Sequence, residues 1–271
     1  MQQEPVLPPK STAASAVRFD LARQLADHCP TALAAAIALT GSSARGLAGA
    51  GSDAEVNHWV ERLPTPSARA DWLLEAGVRA LEAELAPRSD ASEWFSGEYN
   101  GVPFEIGWHT FDALETSLQP LLTGDSVEID RLRLAELLVS AVPLRTDPRL
   151  NELREALAAY PDALRDRLLA DLSAPLIDEA RWAALESLAR RDERLFVVRQ
   201  LGDLMTTAVR LLFAVNRRWD AGDKWLLTLA ARLPQMPPDW RARMNTSLSA
   251  SPETAVALVH AWCDDALSLI S

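Results

Sequence analysis

The feature that most constrains the fold is a change of sequence character near Thr110. Before it, short uncharged or alternating runs that suit strands are interleaved with amphipathic stretches that suit helices. After it, Ala, Leu, Arg and Glu recur at helical spacing, with prolines as punctuation. We therefore predict an α/β (α+β) protein, with a small mixed-sheet domain over residues 15–125 and an all-helical domain over residues 126–271. Residues 1–14 are expected to form a flexible tail.

Four strands are predicted in the first domain. The uncharged run Ala34–Thr40 reads as a buried strand that ends at a glycine. A loop with four glycines follows, and Asp53–Trp59 reads as the second strand. The segment Ser92–His109 carries Asn100-Gly101 between two aromatic-containing runs, and this dipeptide is typical of a hairpin turn. These strands alternate with helices, which is the pattern of a small α/β domain.

Three helices can be assigned from the apolar spacing. The first covers Phe19–His28, and the second runs from a Ser67 cap to about Leu85, where Pro87 stops it. The longest covers Asp192–Trp219, a span that contains no proline. The second domain is therefore expected to be built around one long helix.

Composition excludes several classes of protein. No apolar run approaches the roughly 20 residues that cross a bilayer, so we expect no membrane partner and a cytoplasmic location. The only cysteines are Cys29 and Cys263, which rules out a disulfide framework or a cysteine-rich zinc site. The net charge of −11 disfavours nucleic acid as a partner, because nucleic-acid binding draws on clustered cations. A neutral or cationic small molecule suits the chain better.

Carboxylates cluster around the second predicted strand. Gly41-Ser42 follows the first strand, a turn whose backbone N–H groups can face a phosphate. Ten residues separate Ser42 from Asp53. Asp53 and Glu55 are two apart on a strand, so both side chains are expected on one face. Two neighbouring carboxylates favour a bound divalent cation, and Mg²⁺ prefers such oxygen ligands.

A third carboxylate falls on the hairpin. Phe104 and Ile106 share one face of its second strand, and Glu105 projects from the other. If this strand neighbours the second one, three carboxylates converge, enough to hold two metal ions and to accept a proton from a hydroxyl. His109, near the end of this strand, either lines the same cleft or serves in capping or packing.

Together these residues resemble the signature of the DNA polymerase β-like nucleotidyltransferase superfamily. The matching positions are Gly41-Ser42, the ten-residue gap, Asp53-Ala54-Glu55-Val56 and Glu105 on a later strand. The Gly-rich loop resembles the minimal and antibiotic-modifying branches more narrowly. Residues Leu212–Trp219 and Gly222–Leu227 resemble the helical half of an uncharacterised bacterial family that shares this N-terminal domain. One departure is Glu55, where Asp is commoner.

The resemblance implies a role for each matching residue. Gly41 and Ser42 would hold the triphosphate of a nucleoside triphosphate, which is expected to be ATP. Asp53 and Glu55 would bind two Mg²⁺ ions, and Glu105 would complete the metal site or act as the base. The acceptor hydroxyl would attack the α-phosphorus, and pyrophosphate would leave.

Further contacts to the nucleotide follow from the same resemblance. Ser43, Arg45 and Ser52 would lie near the phosphates, and Lys224 would reach the β- and γ-phosphates from the second domain. Arg45 could instead pair with one of the strand carboxylates, and Lys224 could be a solvated surface residue.

Three functions remain open at this point. The first is adenylylation of a small molecule such as an aminoglycoside-like antibiotic, with a role in antibiotic resistance. The second is nucleotidylation of RNA or protein, as in toxin-type or regulatory enzymes. The third is a nucleotide-binding partner protein that keeps the fold without turnover. The acidic residues could alternatively form only a solvated strand face.

Overall fold

The computed structural model describes residues 6–83 and 92–270. Its strands are β1 (Ala36–Thr40), β2 (Ala54–Val60), β3 (Arg79–Ala83), β4 (Ser92–Tyr99), β5 (Val102–Thr110) and β6 (Val142–Arg145). Its α-helices are α1 (Ala13–His28), α2 (Gly41–Ala44), α3 (Pro66–Glu75), α4 (Phe111–Leu122), α5 (Ile129–Ser140), α6 (Pro148–Ala158), α7 (Asp162–Ser173), α8 (Glu179–Arg190), α9 (Arg194–Val215), α10 (Leu226–Ala230), α11 (Trp240–Ser249) and α12 (Pro252–Leu267). The predicted α/β class is confirmed.

The six strands form one mixed sheet in the order β3-β4-β5-β2-β1-β6. Strands β2 and β5 run parallel, and every other neighbouring pair is antiparallel. The predicted hairpin is present as β4 and β5, joined at Asn100 and Gly101, both with positive φ. Adjacent residues with positive φ are what a tight hairpin turn requires.

One face of the sheet forms the apolar core of this region. Because side chains alternate along a strand, Val56 on β2 and Ile106 on β5 point to the same side, and neither is exposed to solvent. Leu25 of α1 and Leu73 of α3 belong to the same buried cluster. The opposite face of β2 and β5 therefore carries Glu55, Asn57 and Glu105, together with the buried Trp59.

The helix predicted from Ser67 to about Leu85 is shorter than expected. It begins after Thr65, whose hydroxyl accepts the N–H of Ala68, so Thr65 and not Ser67 is the cap. The helix ends at Glu75. The predicted end at Leu85 and the stop at Pro87 lie outside the described residues.

Strand β3 occupies the rest of the span that was predicted as helix. Gly77 has a φ of +97°, a left-handed conformation that does not continue an α-helix. Val78 is then fully buried, and the strand pairs with β4 at the edge of the sheet. Pairing with a distant strand is a tertiary effect that overrides the local helical spacing.

Strand β6 lies where only helices were predicted. It pairs with β1 and forms the other edge of the sheet. Proline restricts the preceding Val142 to an extended conformation and is tolerated at a sheet edge.

The long helix is present as α9, and its bounds lie inside the predicted span Asp192–Trp219. Strand β2 begins at Ala54, so Asp53 precedes it.

Backbone contacts divide the chain into two compact units. One consists of Met1–Gln119 with Leu137–Ala159, and the other of Pro120–Glu136 with Tyr160–Ser271. The sheet lies entirely in the first unit. The predicted domain boundary at residue 125 falls inside the second unit, and α1 begins at Ala13, within the predicted tail.

The second unit is helical and is organised around α9. Half of the residues of α9 are buried, including every residue from Leu211 to Val215. Helix α12 packs against it and contributes the buried Val259 and Trp262. Among the described residues, no helix combines the length and the apolar character that crossing a bilayer would take.

Candidate active site on the polar face of the sheet

Glu55 and Glu105 are direct partners across the parallel pair β2 and β5. Neighbouring strands lie about 4.8 Å apart, so the two side chains leave the same face at adjacent positions. The residues on either side of each glutamate, such as Val56 and Ile106, point into the core. Strands β2 and β5 are therefore neighbours, and the predicted convergence of carboxylates depends on this pairing.

Gly41 lies directly beneath the carboxylate of Glu55. Thr40, the last residue of β1, is paired with Glu55, and the next residue starts the short helix α2. Gly41 has a φ of +65°, and a Cβ atom at this position would overlap the Glu55 carboxylate. Glycine is thus required here twice, by its backbone conformation and by the close approach of the glutamate.

Asp53 lies one residue before β2 and is only partly exposed. Its carbonyl oxygen accepts a hydrogen bond from the Ser43 hydroxyl at 3.2 Å, which ties α2 to the start of the strand. Ser42 and Ser43 are both buried. Ser52 Oγ accepts the N–H of Gly49 at 2.9 Å, so this hydroxyl holds the loop that precedes the strand.

Arg18 shapes the same loop and was missed in the sequence. It is almost fully buried on α1, and its guanidinium donates to the carbonyl oxygens of Ala50 and Ser52. The helix predicted from the sequence began at Phe19, so it did not include Arg18, whereas α1 begins at Ala13. Arg45, one turn beyond Gly41, follows α2 as its C-cap residue and is partly exposed.

The donor chemistry of this region suits a hard divalent cation, because carboxylate oxygens are the ligands Mg²⁺ takes. The structure brings Glu55 and Glu105 together, while Asp53 sits outside the strand. Within residues 6–83 and 92–270, no group of three His, Cys, Asp or Glu side chains is arranged to hold a metal ion. The site for two ions therefore stays a prediction.

Lys224 belongs to the second unit and is exposed on a single turn, Asp223–Trp225. Asp220 and Arg210 brace this turn. Asp220 Oδ1 accepts the N–H of Gly222 at 2.7 Å, and Arg210 Nη2 donates to Asp223 Oδ1 at 2.7 Å. Burial raises the pKa of Asp220, and the Arg210 guanidinium opposes that shift. The phosphate contact of Lys224 stays a prediction.

Thr40, Asn57 and His109 form a hydrogen-bonded series on the face that carries the two glutamates. His109 Nε2 lies 2.6 Å from Asn57 Oδ1, and Asn57 Nδ2 lies 2.7 Å from Thr40 Oγ1. Sequence reasoning noted only His109. The period of two along β2 could have shown that Asn57 follows Glu55 on the same face.

Comparison with known proteins gives a partial match. A family model described as a domain of unknown function, DUF4037, matches residues 127–226, fewer than half of the 271 residues. A solved structure of a nucleotidyltransferase-like protein from Exiguobacterium sibiricum is similar, with 11% identity and a TM-score of 0.43, over 94% of this chain and 74% of that chain. No curated protein matches the sequence. The family match includes Lys224 and none of the three candidate metal-binding carboxylates.

Proposed function

We propose that this chain is a metal-dependent nucleotidyltransferase. It transfers a nucleoside monophosphate, AMP from ATP, to a hydroxyl group of a small molecule such as an aminoglycoside-like antibiotic, and it releases pyrophosphate. Two Mg²⁺ ions would be held by Asp53 and Glu55, and Glu105 would complete the metal site or act as the base.

One observation carries this proposal. Glu55 and Glu105 are paired across neighbouring strands, and the carboxylate of Glu55 lies against Gly41. This arrangement joins two oxygen ligands for a divalent cation to a turn whose backbone can approach a phosphate closely. The proximity of Gly41, Glu55 and Glu105 supports the proposal, because these residues belong to the motif that resembles the nucleotidyltransferase signature.

The chemistry assigns separate tasks to these residues. The acceptor oxygen forms a bond to the α-phosphorus, and the bond from that phosphorus to the bridging oxygen of the β-phosphate breaks. Pyrophosphate leaves with the electron pair, and the hydroxyl proton passes to Glu105. Bound Mg²⁺ would neutralise charge on the triphosphate and lower the pKa of the acceptor hydroxyl. Gly41 and Ser42 keep the triphosphate beside the carboxylates.

The acceptor is proposed to be neutral or cationic because of the charge of the chain. With a net charge of −11, the protein repels polyanions at long range and attracts polyamines. Amino sugars carry both the hydroxyl group and the positive charge that this argument requires. RNA and protein acceptors are retained as outcomes of the test.

The test measures pyrophosphate release by the purified chain with MgCl₂, each of the four ribonucleoside triphosphates and a panel of aminoglycosides. Glu105→Gln keeps the shape of the side chain and removes its basicity, so kcat should fall by about 10²–10⁴-fold. Glu55→Gln should weaken Mg²⁺ binding and lower the rate as well. The matched control is Glu152→Gln, an exposed position on α6, and it should keep full activity.

Three other outcomes would change the assignment. Transfer of label from α-³²P-ATP to tRNA or to protein, with none to the aminoglycosides, would favour a macromolecular acceptor. Nucleotide binding without turnover against any acceptor would favour a partner protein. Equal activity of Glu105→Gln and the wild type would exclude Glu105 as the base.

A further inference from the structure

A series of hydrogen bonds crosses three strands beside the two glutamates. It starts at His109 on β5, passes through Asn57 on β2, and ends at Thr40 on β1. Thr40 Oγ1 in turn lies 3.3 Å from the backbone oxygen of Glu55. Thr40 and Asn57 are 0% and 1% exposed. The series therefore ends on the backbone of Glu55 and on the residue that precedes Gly41.

The donors and acceptors of this series have one consistent direction. A backbone oxygen only accepts, so Thr40 donates its hydroxyl proton to the Glu55 carbonyl. The Thr40 oxygen then accepts from the Asn57 amide nitrogen. This leaves Asn57 Oδ1 facing the His109 ring, so His109 Nε2 must carry a proton and donate it. In the opposite orientation, Asn57 Oδ1 would face Thr40 Oγ1 and would accept the hydroxyl proton of Thr40. The hydrogen bond from Thr40 to the Glu55 carbonyl would then be lost.

Gly107 and Trp94 enclose the contact between Asn57 and His109. A Cβ atom at Gly107 would stand 2.9 Å from Asn57 Oδ1, 2.9 Å from His109 Nε2 and 3.0 Å from the Trp94 ring. The hydrogen bond therefore passes through space that only glycine leaves open. The Trp94 ring meets the His109 ring edge-on, with centroids 5.3 Å apart. A hydrogen bond that is partly shielded from water is stronger than a fully exposed one.

We propose that His109 and Asn57 are positioning residues that act through Thr40 to hold Glu55 and the Gly41 turn in place. Their effect on turnover rests on the proposed nucleotidyltransferase function, whereas the hydrogen-bonded series itself does not. Sub-ångström placement of carboxylates matters for catalysis because a misplacement of about 1 Å can cost about 100-fold in rate.

Histidine tautomers test the series directly. The chain contains four histidines, so this chain labelled with ¹⁵N-histidine gives four sets of ring signals. His109 is expected as the Nε2–H tautomer when neutral. His58 is the internal reference with the opposite tautomer, because its Nδ1 faces the Gly107 carbonyl oxygen at 3.3 Å. His109→Gln identifies the His109 signals by their loss. An Nδ1–H tautomer at His109 would overturn the proposal.

Substitutions at Thr40 test the positioning role. Thr40→Val keeps the shape and removes the hydroxyl, so the Asn57 amide loses its orientation and His109 should show both tautomers. The value of kcat should fall by about 10- to 100-fold, with the KM for nucleotide changed less than about twofold. Thr40→Ser restores the hydroxyl and should recover the wild-type tautomer and kcat. His109→Gln retains a donor at the same reach and should be milder than His109→Leu.

The outcomes separate this proposal from the proposed function. If Thr40→Val is folded and keeps the wild-type kcat, the positioning role is wrong, even though the enzyme is a nucleotidyltransferase. If the wild-type protein shows no turnover, the function fails, and the Mg²⁺ affinity of Thr40→Val then decides the positioning role. An unchanged affinity would reject it, and a loss restored by Thr40→Ser would support it.

Discussion

His58 should make the protein sensitive to mild acid. Its ring is fully buried and stacks on Trp108, with centroids 4.5 Å apart and planes at 14°. Burial lowers its pKa to about 3, the hydrogen bond to Gly107 opposes that shift, and the positive charge of Arg145 adds to it. Among the described residues its Nε2 has no hydrogen-bond partner, so nothing compensates a second proton.

The size of the effect follows from proton linkage. The unfolded chain binds a proton at this histidine near pH 6.5, whereas the folded chain does so only near pH 3. Between these values the unfolded state holds more protons, so the free energy of unfolding decreases as the pH falls. The decrease is about 1.36 kcal/mol per pH unit. At pH 5 the loss attributable to His58 is therefore about 2 kcal/mol, and at pH 7 it is nearly absent.

The assay is urea unfolding of the wild type and His58→Phe at pH 7, 6 and 5. Phenylalanine keeps the aromatic stack and cannot bind a proton, so its stability relative to the wild type should improve by about 2 kcal/mol between pH 7 and pH 5. His28→Phe, at an exposed position, is the matched control for the change of residue type itself. A constant difference between His58→Phe and the wild type across this range would refute the reasoning.

Three further outcomes are expected. Gly41→Ala should lower pyrophosphate release by about 100-fold because the added methyl displaces the adjacent carboxylate, whereas Gly51→Ala, which meets nothing within 4 Å, should match the wild type. Arg210→Met should lower the free energy of unfolding in urea by about 3–5 kcal/mol, since it strips the buried Asp220 of its ion pair, and adding Asp220→Asn should recover most of the loss. The buried Cys263 thiol, whose pKa is raised to about 12, should react with Ellman's reagent at pH 8 no faster than the protein unfolds, as judged by mass spectrometry of its peptide.

The parts of the fold that could be predicted are those encoded by neighbouring residues. The pair Asn100-Gly101 adopts positive φ at both positions and joins β4 to β5, as the dipeptide indicates. The uncharged run before Gly41 is a fully buried strand, β1. Each of these depends on conformational preferences that act within a few residues.

The two strands that were missed depend on partners far away in the chain. Strand β3 has residues with helical spacing, and only its pairing with β4 makes it extended. Strand β6 is four residues long, and it is extended because it pairs with the edge of β1. No local pattern distinguishes such segments from the helices around them, because their stabilisation comes from long-range hydrogen bonds.

The candidate site divides in the same way. The shared face of Glu55 and Glu105 follows from the period of two along each strand, and the register of β2 against β5 then makes them partners. The series from His109 to Thr40 could not be predicted, because it depends on the registers of three strands at once. Arg18 was missed because its partners are backbone oxygens. Every residue carries a backbone oxygen, so no residue type in the sequence marks such a partner.

The departure from the commoner pattern, Glu55 in place of Asp, has a structural counterpart at Gly41. Glutamate is one methylene longer than aspartate, so its carboxylate reaches further from β2 toward the end of β1. There it lies where a side chain at residue 41 would begin. A glycine with positive φ both turns the chain into α2 and leaves room for the longer acid. Gly41 and Glu55 are therefore one feature of this chain, which explains how the longer carboxylate is accommodated beside the turn that the nucleotide is proposed to approach.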